Sequence, residues 1–246
     1  MADTMLTRGT IVTLGGGGFS MPDVAGARGP LLDDFLLALT GTARPRVCFV
    51  GTASGDAAGY ADRFEAAFAG RAETSVLALF GSERQNAIPL DALDRVVEQD
   101  VIYVGGGSTA NLLALWRLHR LDELLARAAA RGTVLAGISA GMNCWFQGSS
   151  TDSFGPLAPL PDGLGFLPGS ACPHYLGEPL RRASYRRMVA TGELPDGWAV
   201  DDGVALLWRD GRLVEAVGER PDGAAYRVTR RGDTAVETPL AVRFLG

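Results

Sequence analysis

Residues 133–142 read T-V-L-A-G-I-S-A-G-M, and this stretch determines the fold that the sequence predicts. The apolar residues before Gly137 are typical of a buried strand, and residues 137–141 match the pattern G-x-S-x-G. Residues 140–146 can begin a helix, so Ser139 lies at a sharp turn from strand to helix. Such a turn exposes the serine hydroxyl beside the free N–H groups of the helix start. The stretch therefore predicts a nucleophilic serine at position 139.

Apolar runs rich in β-branched residues alternate with helical patterns on both sides of the turn. The predicted strands are Thr10–Leu14, Arg46–Val50, Ser75–Leu79, Val101–Val104 and Thr133–Ile138. The predicted helices are Leu31–Leu39, Ala57–Ala69, Leu90–Gln99, Thr109–Leu118 and Leu121–Ala130. This alternation predicts an α/β fold with a mostly parallel sheet and helices on both of its faces.

The last third of the chain has a different pattern. A helical stretch at Glu178–Thr191 is followed by short strand candidates at Val204–Trp208, Leu213–Val217 and Ala225–Val228. Asp210-Gly211 between the first two is a hairpin signal. We expect an antiparallel extension of the same domain, so residues 1–246 are predicted to form a single hydrolase domain.

Composition narrows the class of protein. Hydrophobic residues make up 47 % of the chain and the net charge is −5, which favours a well-packed fold and disfavours nucleic acid as a partner. Neither a secretory leader nor an apolar run of about 18 residues is recognisable, so we expect a cytoplasmic protein that does not bind membranes. The three cysteines form no C-x-x-C pair, so neither a disulfide framework nor a metal site is predicted.

Two glycine clusters follow predicted strands. Gly15–Gly18 fails the dinucleotide pattern G-x-G-x-x-G because Ser20 and Met21 stand where the third glycine is needed, which disfavours nucleotide binding. This cluster is either a tight turn or part of the site. Gly105–Gly107 follows V-I-Y-V, at the strand end where open α/β sheets bind ligands. The N–H of Gly106 or Gly107, together with that of Ala140, is therefore predicted to bind an oxyanion.

A serine nucleophile needs a base, and the chain has two histidines. His119 lies within a predicted helix and is typical of a helix-surface residue. His174, in A-C-P-H-Y after a candidate strand near Leu167, is the predicted base. A carboxylate must hold the imidazole, and Asp152 and Asp202 are the two candidates. Chain order does not choose between them.

Four segments together carry a family resemblance. They are V-I-Y-V-G-G-G-S-T at 101–109, G-I-S-A-G-M at 137–142, C-P-H-Y at 172–175 and D-D-G-V-A-L at 201–206. In this order and spacing they resemble the peptidase E family. The resemblance implies a three-layer α/β/α sandwich related to class I glutamine amidotransferase domains, in which the nucleophile is a cysteine. It also implies cofactor-free hydrolysis of short peptides, typically dipeptides with an N-terminal aspartate.

The resemblance also assigns roles to residues. It implies Ser139 as nucleophile and His174 as base, and it places acidic residues at both Asp152 and Asp202, with Asp152 slightly ahead. Ser108 stands where aspartate-specific members often have asparagine. An arginine after His174 is expected to meet the substrate's aspartate, and the candidates are Arg181, Arg182 and Arg186.

Other functions compete with this interpretation. One is a serine hydrolase of the same fold with another substrate, either cyanophycinase-like or an esterase. Another is a small-molecule-binding protein without turnover. Assembly as a homodimer is left open by the sequence.

Overall fold

The computed structural model describes residues 9–25 and 29–246 and contains an α/β fold with two sheets. The α-helices are α1 (Pro22–Ala25), α2 (Leu31–Ala38), α3 (Ala58–Phe68), α4 (Thr109–His119), α5 (Leu121–Ala130), α6 (Ala140–Asn143) and α7 (Arg181–Thr191). The strands of the first two thirds are β1 (Thr10–Leu14), β2 (Arg46–Val50), β3 (Glu73–Leu77), β4 (Ala87–Ile88), β5 (Val101–Val104), β6 (Val134–Ile138), β7 (Phe146–Thr151) and β8 (Ala158–Leu160). The remaining strands are β9 (Leu167–Cys172), β10 (Gly197–Val200), β11 (Val204–Arg209), β12 (Arg212–Gly218), β13 (Ala225–Arg231), β14 (Thr234–Pro239) and β15 (Val242–Phe244).

The first sheet has nine strands in the order β15-β12-β11-β1-β6-β5-β2-β3-β4. The pairs from β1 to β4 are all parallel, whereas β11 joins β1 in antiparallel register, with Thr10 opposite Arg209. Because β1, β6, β5 and β2 run in the same direction, their carboxyl ends meet at one edge. Ligand sites in open α/β sheets form at such an edge.

The second sheet has six strands in the order β14-β13-β10-β9-β7-β8. Its central pairs β7–β9 and β9–β10 are parallel, and the pairs at both ends are antiparallel. The chain passes from this sheet to the first one between β10 and β11, through Asp201–Gly203. This crossing brings Asp202 to the edge of the first sheet, where it forms a bridge with Gly16.

Apolar side chains fill both faces of the first sheet. On one face Phe49 and Tyr103 pack with Phe64 and Phe68 of α3. The other face packs against α4, α5 and the inner side of the second sheet, with side chains that include Ile102, Leu135, Trp116, Leu125, Phe146 and Leu167. Helix α7 covers the outer side of the second sheet through Tyr185 and Met188. Burial on both faces explains the continuous apolar runs of the parallel strands.

The α/β prediction is confirmed, with local differences. The predicted helix Leu90–Gln99 is a 3-10 helix over Leu90–Glu98 that is broken at Ala92. The helix expected over 140–146 ends at Asn143, because Phe146 begins β7 and pairs with Leu167 of β9. Tertiary pairing here overrides the local helical pattern. The hairpin predicted at Asp210-Gly211 forms, and both residues have positive φ, as a type I′ turn requires.

Candidate active site

Ser139 lies at the turn between β6 and α6 in a strained conformation, with φ 56° and ψ −112°. This region of the backbone costs a residue other than glycine about 1–3 kcal/mol. Three hydrogen bonds hold the turn: the Ser139 N–H donates to Leu14 O at 3.2 Å, and Met142 N and Asn143 N each donate to Ser139 O at 2.9 Å. Ser139 is partly exposed within an otherwise buried segment. The strain therefore presents the hydroxyl at the strand edge.

Gly141 explains the second glycine of the motif. A Cβ atom at this position would lie 2.3 Å from the carbonyl oxygen of Val104 in the neighbouring strand. Only glycine allows α6 to pack this closely against β5 directly behind the serine. The G-x-S-x-G pattern thus has a packing cause as well as a conformational one.

His174 follows β9 and also has a positive φ, 52°. Its Nδ1 lies 2.6 Å from Oδ1 of Asp202, and the two side chains are 10 % and 16 % exposed. Asp202 belongs to the crossing from the second sheet to the first. A hydrogen bond from Nδ1–H to this carboxylate fixes the tautomer that leaves Nε2 free to accept a proton.

The Asp202 carboxylate is enclosed by two glycines. A Cβ atom added to Gly16 would lie 2.0 Å from Oδ1, and one added to Gly177 would lie 2.2 Å from Oδ2. Gly16 also forms a bridge with Asp202 at the end of β1, two residues beyond the Leu14 carbonyl that accepts the Ser139 N–H. Ser139 and Asp202 therefore flank the end of the same strand, and Gly15 and Gly16 pack against residues 200–202.

Asp201, which the sequence analysis did not assign, holds the loop after His174. Its Oδ1 accepts the N–H groups of Leu176 and Gly177, each at 2.9 Å, and the Tyr175 N–H donates to Val200 O at 3.2 Å. The two adjacent aspartates thus have different contacts. Asp202 contacts the imidazole and Asp201 fixes the backbone that carries it.

Asp152, which the family resemblance put slightly ahead of Asp202, does not lie beside His174 in the structure. Its side chain is 58 % exposed and contacts Arg181 at 3.4 Å. β7 and β9 pair with Ser149 opposite Ala171, so an extended register would set Asp152 opposite His174. The positive φ of His174 turns the chain out of that register. The imidazole consequently contacts Asp202 rather than Asp152.

The two oxyanion candidates of the glycine loop differ in their hydrogen bonds. Gly106 lies beside the serine, since a Cβ atom there would be 3.3 Å from Ser139 Cβ, but its N–H donates to the Tyr60 hydroxyl at 3.2 Å. The N–H of Gly107 has no acceptor in the described part of the chain. Ala140 is the first residue of α6, so its N–H has no partner within the helix. Gly107 and Ala140 are thus the amides free to meet an oxyanion.

Ser108 and the arginines already have partners. Ser108 Oγ caps α4 by accepting the Asn111 N–H at 3.3 Å. Arg182 forms two hydrogen bonds with Glu237, at 2.9 and 2.7 Å, and the Arg186 guanidinium donates to a backbone carbonyl of β14. Arg181 is 4 % exposed and contacts Glu178 at 2.5 Å as well as the exposed Asp152. Of these arginines, Arg181 is the one whose acidic partner a substrate carboxylate could displace.

The two cysteines nearest to Ser139 and His174 in sequence have buried thiols. Cys172 precedes His174 by two residues, but it is fully buried, and burial raises the pKa of its thiol to about 12. Cys144, in the segment after the serine turn, is also fully buried, and burial raises the pKa of its thiol well above the ordinary value. The thiolate is the reactive form of cysteine, so both thiols are inert at neutral pH.

Two buried carboxylates support the glycine segment next to the site. Asp33 Oδ2 accepts the Phe19 N–H at 2.8 Å, and Glu219 Oε1 accepts the Gly18 N–H at 3.0 Å. Burial is the main cause that raises the pKa of Asp33 to about 7, and the nearby Glu219 carboxylate raises it further. The pKa of Glu219 is also raised by burial. The segment is therefore anchored by acids that resist ionisation.

Asp33→Asn is expected to stabilise the protein at pH 8 and to change little at pH 4. In the unfolded chain this acid ionises near pH 4, whereas in the folded protein its pKa is about 7. The free energy of unfolding therefore falls as pH rises from about 4 through about 7. At 1.36 kcal/mol per pH unit, the loss of stability at pH 8 is about 4 kcal/mol. The neutral asparagine avoids this loss and still accepts the Phe19 N–H. Urea unfolding at both pH values measures the effect, with the exposed Asp34→Asn as control. A lower stability of Asp33→Asn at pH 8 would contradict this account.

Comparisons with known sequences identify the family of the chain. The sequence model of Peptidase family S51 matches residues 11–216. The chain is 44 % identical over 238 residues to "Uncharacterized peptidase YgaJ" of Bacillus subtilis (strain 168), which covers 96 % of this chain and 99 % of the relative. It is 30 % identical over 132 residues to "Peptidase E" of Streptomyces coelicolor, which covers 53 % of this chain and 54 % of the relative.

Solved structures show the same fold. A crystal structure of a peptidase from an acI-B1 Actinobacterium superposes with a TM-score of 0.69 at 16 % identity, covering 97 % of this chain and 96 % of the other. A putative peptidase E from Listeria monocytogenes EGD-e superposes with a TM-score of 0.59 at 18 % identity, covering 84 % of this chain and 97 % of the other. Across the described ranges, the helices are all too short or too polar to span a bilayer. The chain belongs to Peptidase family S51, the peptidase E family of serine peptidases.

Proposed function

We propose that this protein hydrolyses short peptides, in particular dipeptides with an N-terminal aspartate, through a triad of Ser139, His174 and Asp202. The observation that carries the proposal is the 2.6 Å contact between His174 Nδ1 and Asp202 Oδ1, at the strand edge that also presents the strained Ser139. A partly buried carboxylate, an oriented imidazole and a partly exposed hydroxyl are the parts that acyl transfer needs.

Hydrolysis proceeds in two half-reactions, acylation of Ser139 and deacylation by water. Ser139 Oγ attacks the peptide carbonyl while His174 Nε2 takes its proton, and the N–H groups of Gly107 and Ala140 donate to the resulting oxyanion. The imidazolium then protonates the leaving amine as the C–N bond breaks, which leaves an acyl ester on Ser139. Water attacks this ester with His174 again as base, and the free acid leaves as Ser139 recovers its proton.

Arg181 supports the aspartate preference. It is a buried cation whose contact with Asp152 is long, at 3.4 Å, and Asp152 is largely exposed. A substrate carboxylate that displaces Asp152 would gain a charge-assisted hydrogen bond to a guanidinium already fixed by Glu178. Arg182, by contrast, is 53 % exposed and fully engaged by Glu237, so it is a matched control.

The test is hydrolysis of Asp-Leu, Ala-Leu, Glu-Leu and Asn-Leu by the wild type, Arg181→Ala and Arg182→Ala. We expect Asp-Leu to be the best substrate, and Arg181→Ala to raise its KM by about tenfold or more, because hydrogen bonds to charged groups contribute about 1.5–3 kcal/mol. Arg182→Ala should leave that KM within about twofold. Equal cleavage of all four dipeptides would contradict the aspartate preference, and cleavage of none would contradict the peptidase proposal.

A further inference from the structure

The hydroxyl of Tyr60 connects two glycine loops that come from different strands. Tyr60 lies in the first turn of α3, and its oxygen is 2.6 Å from Ser20 Oγ, in the segment after β1. The same oxygen accepts the N–H of Gly106, in the loop after β5, at 3.2 Å. No motif in the sequence pointed to this residue.

The position of the Tyr60 hydroxyl is fixed from two directions. Its ring packs against Phe19 at 5.8 Å and Phe49 at 4.9 Å between centroids, within the aromatic cluster of one sheet face. Ser20 is the next residue after Phe19, whose N–H is held by the buried Asp33 carboxylate. A hydroxyl that is packed through its ring and hydrogen-bonded to an anchored segment has little freedom to move.

The N–H of Gly106 is therefore held at one end of the Gly106–Ser108 loop. At the other end the Ser108 N–H donates to Ala53 O at 2.8 Å. The peptide between these two bonds carries the N–H of Gly107, which lies in a conformation with φ 137° that favours glycine. The hydrogen bonds of Gly106 and Ser108 hold both ends of this loop and so set the direction of the Gly107 N–H.

We propose that Tyr60 is a positioning residue that aims the Gly107 N–H at the oxyanion by holding the Gly106 peptide. This inference rests on the proposed function, since it concerns the acyl-transfer step at Ser139. Tyr60 exchanges no proton with the substrate and acts through the backbone of the glycine loop. Preorganised donors of this kind stabilise charge in the transition state more than in the bound substrate.

The experiment compares wild type, Tyr60→Phe and Tyr226→Phe with the best dipeptide of the panel. Tyr60→Phe keeps the ring and removes the acceptor of the Gly106 N–H, so kcat should fall about 10- to 100-fold, the range expected when a catalytic group is slightly misplaced. KM should stay within about twofold, because ground-state contacts do not change. Tyr226, on β13 of the second sheet, controls for loss of a tyrosine hydroxyl elsewhere and should keep its kcat.

A second readout separates positioning from a general loss of structure. Ser139 Oγ adds to the carbonyl carbon of an amino aldehyde with the side chain of the N-terminal residue of that dipeptide. His174 takes the serine proton, and the carbonyl oxygen of the resulting hemiacetal becomes an oxyanion. The Ki of the aldehyde should rise in Tyr60→Phe by the same factor as kcat falls. The Ki of the corresponding amino alcohol, which has no carbonyl group and forms no oxyanion, should stay within about twofold.

The outcomes distinguish this inference from the proposed function. A wild type that cleaves peptides, with Tyr60→Phe equal to it in kcat and aldehyde affinity, overturns the role of Tyr60 alone. Equal losses of aldehyde and amino alcohol affinity also overturn it, since they indicate a disturbed pocket. A wild type that cleaves no peptide overturns the proposed function and this inference with it.

Discussion

Ser139→Ala is expected to abolish peptide hydrolysis while the fold is retained. Removal of the hydroxyl removes the group that forms the acyl-enzyme, and loss of a serine nucleophile lowers kcat by about 10⁶-fold in a well-characterised hydrolase. The turn should persist, because the hydrogen bonds of residue 139 with Leu14, Met142 and Asn143 use its backbone N–H and carbonyl and not its side chain. The measurement is kcat on the best dipeptide together with the thermal midpoint, with Ser75→Ala on β3 as a control.

Ser139→Gly separates the strain of the turn from its chemistry. Both variants lack the nucleophile and should be inactive. Glycine adopts φ 56° and ψ −112° without a Cβ clash, so Ser139→Gly should be more stable than Ser139→Ala by about 1 kcal/mol or more. Turnover that survives in a pure sample of either variant would place the nucleophile elsewhere.

Asp202→Asn is expected to lower kcat by about 10⁴-fold, the cost of the same change in a well-studied triad. The asparagine amide donates a hydrogen bond to Nδ1 and so favours the His174 tautomer with its proton on Nε2. In that tautomer Nε2 cannot accept the serine proton. The substitution is nearly isosteric, which matters because Gly16 and Gly177 enclose this carboxylate. We therefore expect the lost rate to appear in kcat while the thermal midpoint changes little.

Asp152→Asn is the matched comparison for that variant. Asp152 is 58 % exposed and contacts Arg181 rather than His174, so kcat should stay within a few-fold. Neutralising it also frees Arg181, so the KM for Asp-Leu should fall relative to that for Ala-Leu. Steady-state kinetics of both variants on both dipeptides measure the contrast. A larger kcat loss in Asp152→Asn than in Asp202→Asn would reverse the assignment of the third residue.

The sequence predicted the parallel part of the fold well because its signals are local. β1, β2 and β5 have the predicted bounds, since each is a short run rich in apolar and β-branched residues between clear breaks. The prediction of Ser139 was equally local, as it required a strand, a glycine turn and a helix start within ten residues. His174 emerged by elimination, because the chain offers only one other imidazole.

What the sequence could not predict depends on long-range pairing. The second sheet contains strands such as β7, where polar residues interrupt the pattern, and β9 and β10, which contain glycines. The contact of His174 with Asp202 joins residues 28 positions apart, at the ends of different strands, and no local signal predicts it. Tyr60 lies in an ordinary amphipathic helix, and only the three-dimensional contact with Gly106 distinguishes it from a core residue.

The pairing of β1 with β11 has a consequence for the newly made chain. Thr10 lies opposite Arg209, and Trp208 Nε1 donates to Thr13 Oγ1 at 3.1 Å across most of the chain length. Contacts between such distant residues form late, because closing a long loop costs entropy before any pairing compensates for it. During translation the serine turn emerges well before Asp202 and β11 do. The proposed site of Ser139, His174 and Asp202 is therefore complete only after β11 has paired with β1.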